Sequence, residues 1–224
     1  MIQVGRTSTR VALSEQQIAA LQTQFEQRHH IHLPGVLSPD LLSVIMPHLD
    51  RAEFSRAIYE DVGTDLRMAD NAALEGLHVA VNDAVFLQAI EMLTACRPLR
   101  VFAGRVYRMI GGAGHTTGWH DDASSSDRRI GMSINLSAQA YSGGVFQLRR
   151  TADERLLGEV HNLGLGDAVL FRLSHDLQHR VTDVTGEHPK TAFAGWFRPD
   201  TSYQEALLSA QPPHRRLNTK SHSG

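Results

Sequence analysis

Cysteine is almost absent: Cys96 is the only one in 224 residues, so no disulfide can close within the chain. A single thiol excludes a disulfide-stapled scaffold and fits a reducing cytoplasm, the expected location. Long apolar runs are absent too. No stretch approaches the roughly 18 residues of a membrane helix, and the opening MIQVGRTSTRVALSEQQ has no signal-peptide core. Surplus positive charge is lacking. The formal net charge is -2, so no global field points to nucleic acid or acidic lipid. Internal repeats are not visible. The glycine turn at Gly111, Gly112 and Gly114 has no helical pattern after it and is not a nucleotide fingerprint. Cys96 itself is expected to be a small buried apolar residue.

What is present divides by periodicity. Ser14 can cap a helix through Gln27, with Gln17 in the capping-box position and Ile18, Leu21 and Phe25 on one face. HIHLPG is a short extended segment. Ser38 caps a second helix through about Leu49, and residues from about Ala72 to Leu93 form further helix. From Leu99 the pattern changes to LRVFAGRVYRMI, RRIGMSINLS, SGGVFQLRR, GDAVLFRLS and KTAFAGWFR, all strand-like and separated by turns. No helix is long enough to join them as βαβ units, so an antiparallel sandwich or barrel is expected. The reading is one domain: residues 1–98 as a mainly helical part packed on the core, residues 99–200 as the β core, and residues 201–224 as an extension whose polar end is mobile.

The β half carries a metal-ligand pattern. His120 and Asp122 stand two apart, and on an extended strand such residues share a face. His179 on another strand supplies a third ligand. Two histidines and one carboxylate on one face of an octahedron leave three positions open, the facial arrangement of non-haem iron(II) oxygenases. A bidentate oxoacid takes two and dioxygen the third. Lys190 begins the last strand. A buried cation there would meet the far carboxylate of a chelating 2-oxoacid, which is costly to bury unpaired.

These residues stand in an ordered context: Tyr107 before the glycine turn, His120-x-Asp122, Tyr141-Ser-Gly-Gly144, Gly166-Asp167-Ala-Val-Leu-Phe171, His179-Arg-Val, Gly186, Lys190 and Trp196-Phe197. From about Val101 to Phe197 the chain resembles the prolyl 4-hydroxylase-like group of 2-oxoglutarate/iron(II) dioxygenases. The resemblance implies an α+β chain, mainly β, with a double-stranded β-helix (jelly-roll) core and supporting helices. It implies an enzyme binding Fe(II) through His120, Asp122 and His179. The cosubstrate 2-oxoglutarate would be clamped by Lys190 beside Tyr107 and consumed to succinate and carbon dioxide. A carboxylate at position 122 implies hydroxylation and not halogenation, since halogenating relatives carry a small residue there. The glycine turn and the His179–Lys190 spacing are longer than the pattern, and Ala192 stands where relatives carry a hydroxyl residue.

Alternatives remain beside these. Asp121 competes with Asp122 but should face away, and His175 competes with His179. His29, His30 and His32 form a cluster that reads as surface or turn histidines. Trp119 and Trp196 read as core, and Arg180 and Arg198 as surface residues, with Arg180 able to meet an acidic substrate. A polar substrate is expected, with a peptidyl or amino-acid residue favoured by analogy, because the polar loop from Asp121 to Arg129 should shape the mouth. No nucleic acid or membrane partner is expected. The rival classes are a cupin-type metal enzyme without an oxoacid and a non-catalytic binding module.

Overall fold

Ser14 caps the first helix as its spacing predicts. Its side chain accepts from the Gln17 backbone N–H, and its own N–H donates to the Gln17 side chain. The computed structural model describes residues 1–199 apart from 61, 97, 124–127 and 162. Along them run β1 (Ile2–Val4), β2 (Thr9–Val11), α1 (Glu15–Arg28), β3 (His30–Leu33), α2 (Pro39–Asp50), β4 (Phe54–Tyr59) and β5 (Gly63–Met68). Next come α3 (Ala72–Val81), α4 (Ala84–Thr94), β6 (Val101–Met109), β7 (Thr116–Thr117), β8 (Ile130–Asn135) and β9 (Phe146–Arg150). The chain continues through β10 (Leu156–Val160), β11 (Ala168–Arg172), β12 (Leu177–Val181) and β13 (Lys190–Arg198). The extension expected to be mobile, 201–224, and the centre of the expected mouth loop, 124–127, lie outside the described residues.

The strands form a curled antiparallel sheet in the order β3-β11-β8-β13-β6-β5-β4, with β7 on β5. A smaller sheet, β10-β9-β12, faces it. This is a jelly-roll core. One helical run, from about Ala72 to Leu93, is broken where Asn82 turns aside. The Asn82 side chain holds both the N–H and the carbonyl of Phe102, and Asp83 caps the new helix.

The first half, expected to be mainly helical, also contributes strands. Its strands β3, β4 and β5 all join the large sheet. Their sequence signal is weak for a physical reason: no residue of β4 is fully buried, so little selects an alternating apolar pattern.

Strand β13 shows what the two faces do. Phe193 and Phe197 point to the helices, where they meet Phe102 at ring distances of 5.3 and 4.9 Å, and Phe197 meets Phe86 at 6.4 Å. Each fully buried ring contributes about 1.5–3 kcal/mol. The alternate residues Lys190, Ala192, Ala194 and Trp196 face the interior between the sheets. Packing thus secures the outer face, and the inner face is left for chemistry.

Candidate metal centre and its cavity

His120 and His179 meet through an isolated antiparallel bridge. The His120 N–H donates to the His179 carbonyl at 3.1 Å, and the His179 N–H returns the bond at 2.8 Å. Their rings lie 4.2 Å apart. The His120 Nδ1 sits 2.8 Å from the Gly118 carbonyl, which fixes a proton there and leaves Nε2 bare for a ligand role. His179 is buried, with the Phe171 ring 4.5 Å from its own.

Asp122 reaches this pair by a route the spacing does not predict. It does not continue a strand. Its φ of 53° is left-handed, a conformation that Asp visits more readily than most residues. Its Oδ2 then stands 3.6 Å from His120 Nε2 and 3.4 Å from His179 Nε2. Among the described residues, this is the one group of three or more His, Cys, Asp or Glu whose donor atoms all lie within 4.8 Å of one another.

Burial works against the Asp122 charge, but the two imidazoles outweigh it and hold the carboxyl well below the usual carboxylate range. Burial also works against a charged His120, and there the Asp122 hydrogen bond and charge prevail and raise its pKa. Burial dominates at His179 and lowers its pKa. The cluster therefore offers an ionised carboxylate and a neutral buried imidazole, both in ligand form.

The donor set fits a metal ion. Bonds of about 2.1 Å at right angles put neighbouring donors about 3 Å apart, close to the Asp122–His separations. Beside the donors opens a cavity of about 220 Å³, bordered by Tyr107, Phe171, Ala194 and Trp196. Open space on one side and three protein donors on the other is what a facial site requires.

The competing residues go elsewhere. Asp121 pairs with exposed His175 at 3.1 Å, so neither joins the cluster. His29 closes α1 with a left-handed backbone, and His32 pairs with Asp167 at 3.0 Å. His30 departs from the surface expectation: it is buried, and its ring packs against Gly158 and Phe146. Cys96 is only half-buried at the edge of the core.

Lys190 is fully buried at the inner end of β13. Its Nζ donates to the Tyr141 hydroxyl at 2.9 Å and lies 4.7 Å from that ring's centroid. Burial lowers Lys190 to about 8. Tyr107 pairs in register with Ala192 and borders the cavity, standing between Lys190 and the Ala194–Trp196 stretch.

Trp196, read as core, packs on the inner apolar cluster and also reaches the site. The Trp196 indole N–H donates to Asp122 Oδ2 at 2.9 Å. Trp119 packs against the guanidiniums of Arg149 and Arg180, 4.4 and 4.5 Å from its ring centroid, so Arg180 is a stacked group and not a free surface charge. Spacing carries no signal for either contact. Both arise between segments far apart in sequence.

Comparison with known proteins follows the same line. Residues 104–198 match the model of the 2OG-Fe(II) oxygenase superfamily. No curated protein sequence matches the chain. Among solved structures, a prolyl-4-hydroxylase from Pseudomonas putida superposes with a TM-score of 0.62 at 19% identity, covering 82% of this chain and 100% of that one. A prolyl hydroxylase from Trichoplax adhaerens, in complex with a hypoxia inducible factor peptide fragment, gives 0.59 at 14% identity, covering 89% and 99%. The epimerase SnoN, in complex with Fe3+, alpha ketoglutarate and nogalamycin RO, gives 0.61 at 16% identity, covering 90% and 92%. At these identities the superpositions speak for the fold.

Proposed function

Starting from a chain whose residues 104–198 carry a 2OG-Fe(II) oxygenase domain, we propose that His120, Asp122 and His179 hold its iron and that the enzyme hydroxylates a C–H bond of a small polar substrate. The protein is a 2-oxoglutarate-dependent non-haem iron dioxygenase. The single observation that carries the site assignment is the convergence of Asp122 Oδ2 on both Nε2 atoms beside an open cavity.

When bound, iron(II) with 2-oxoglutarate and dioxygen supplies the oxidising power, and the oxoacid leaves as succinate and carbon dioxide. The chain's own residues do the rest. His120 and His179 present Nε2, and the Gly118 carbonyl and the Phe171 ring fix the two rings. Trp196 holds one oxygen of Asp122, which sets the carboxylate's orientation. Lys190 and Tyr141 do not line the cavity themselves; with the oxoacid bound, Lys190 would meet its far carboxylate, Tyr141 would orient the Nζ, and Tyr107 stands on the cavity wall. The apolar rings of Phe146 and Phe171 exclude water behind the ligands.

The helices of residues 1–98 act in this reading as the outer brace of the large sheet. A cytoplasmic location is supported by the single cysteine. Among the described residues, no helix is long and apolar enough to cross a membrane.

Anaerobic titration tests the assignment. Iron(II) plus 2-oxoglutarate should produce a visible charge-transfer band, and dioxygen should then yield succinate. A folded protein with no band contradicts the oxoacid chemistry. A band that survives in His179→Ala contradicts the ligand set.

A further inference from the structure

We infer that Asp65, Arg105 and Tyr59 form a subsite for the α-carboxylate and α-ammonium of a free amino acid, an inference that rests on the oxygenase reading and names its substrate class. Three buried polar atoms carry it: Asp65 Oδ1, Arg105 Nε and the Tyr59 hydroxyl. None makes a well-formed hydrogen bond to a described residue, although the Tyr59 hydroxyl lies close enough to Asp65 and to Arg105 to interact with both. All three residues border the cavity that also holds His120 and Asp122. Buried polar atoms are nearly always paired, and three orphans on one cavity wall point to an absent partner.

The trio is held for this purpose. Asp65 is 6% exposed. It stands where β5 passes from one neighbour to another: Gly63 and Thr64 pair with β7, whereas Leu66 and Arg67 pair with β6. Arg105 projects from the inner face of β6, opposite Ala194. Its guanidinium lies 4.5 Å from the centroid of the Tyr59 ring, which restrains its plane. The nearest approach of the two charges is 3.9 Å, Asp65 Oδ2 to Arg105 Nη2, too long for a hydrogen bond. The charges are neighbours that do not satisfy one another.

The ligand follows from the gaps. A carboxylate accepts from Arg105 Nε and the Tyr59 hydroxyl, and an ammonium donates to Asp65 Oδ1. An α-amino acid carries both groups on one carbon, so one ligand fills all three positions with charge-assisted bonds. A simple anion would face Asp65 unpaired, and a simple cation would face Arg105. A peptide amide is neutral at both ends and adds no charge-assisted bond to an ion pair too long to hydrogen-bond. The side chain of the bound amino acid would then extend along the cavity toward the iron ligands.

The test uses the full chain and the standard L-amino acids, each also as its N-acetyl and carboxamide form. Binding is read twice: by thermal shift on metal-free protein, and by perturbation of the iron(II)–2-oxoglutarate band without dioxygen. At least one free amino acid should bind and stimulate succinate formation, with both blocked forms at least tenfold weaker. Arg105→Gln and Asp65→Asn should each weaken that binding tenfold or more, with the 2-oxoglutarate Kd changed less than twofold. Tyr59→Phe, which removes one hydroxyl, should weaken it severalfold and serves if a charge variant fails to fold.

Three results overturn the inference: blocked forms binding as tightly as free ones, no amino acid binding, or Arg105→Gln weakening 2-oxoglutarate instead. A missing band with amino-acid binding intact in the metal-free protein refutes the oxygenase reading and spares the subsite.

Discussion

The indole N–H of Trp196 and the Oδ2 of Asp122 are 2.9 Å apart, and the same oxygen faces both candidate histidine ligands. The last strand therefore reaches across the interior to steady a carboxylate whose own backbone has left the strand conformation.

Trp196→Phe keeps an aromatic ring, though a smaller one, and removes this donor. Iron(II) should bind about 10–100-fold more weakly, the usual cost of losing a partner that orients a ligand. The melting temperature should move by only a few degrees. Parallel iron titration and circular dichroism melting check both halves.

Asp122→Asn separates backbone from charge. Asn accepts the left-handed φ of 53° as readily as Asp, so the loop should keep its shape. The carboxylate is gone, and succinate formation should fall by at least about 100-fold. A folded variant with near-native turnover would remove Asp122 from the ligand set.

Lys190→Met probes the buried cation through pH. Burial lowers Lys190 to about 8 from 10.5, so between these values the unfolded chain holds more protons than the folded one. Stability of the ligand-free wild type should thus rise through that window, and the penalty is full below about 8. Its ceiling is about 3 kcal/mol. The Met variant should melt several degrees above wild type at pH 7, and its advantage should shrink as pH approaches 10.5. Its affinity for 2-oxoglutarate should fall sharply. A constant difference in melting temperature across the window would show that Lys190 is not a strained cation.

Gly131→Ala tests the support behind His179. A Cβ at position 131 would lie 2.3 Å from Cζ of Phe171, a buried ring with little room to retreat. Overpacking of this kind costs about 1–3 kcal/mol. Because the Phe171 ring lies 4.5 Å from that of His179, iron affinity should weaken along with stability. Unchanged iron binding in a destabilised variant would uncouple the two.

Much of this was legible in the sequence, though not always for the stated reason. An antiparallel sandwich or barrel follows from alternating strands such as β13, where Phe193 and Phe197 must be buried and their neighbours must face inward, and the family resemblance narrows it to a jelly roll. The three candidate ligands stand out by residue type and order. The rule that pairs i with i+2 on a strand points to Asp122, but the structure brings it round through a left-handed turn.

Other features leave no local trace. Trp196 looks like core because nothing near it in sequence suggests a carboxylate partner. Asp65 lies on a strand whose partners change partway along it, and Tyr59 ends a strand with no fully buried residue. Contacts made only by folding carry no spacing to read.

The hairpin of β4 and β5 contributes Tyr59 and Asp65, while His179, Lys190 and Trp196 come from β12 and β13. On the proposed reading, most of what selects and most of what oxidises thus lie on separate stretches of chain. Mutation can redraw the hairpin and so change which molecule is admitted, with the oxidising apparatus left as it was. A scaffold divided in this way can diversify its diet without relearning its chemistry.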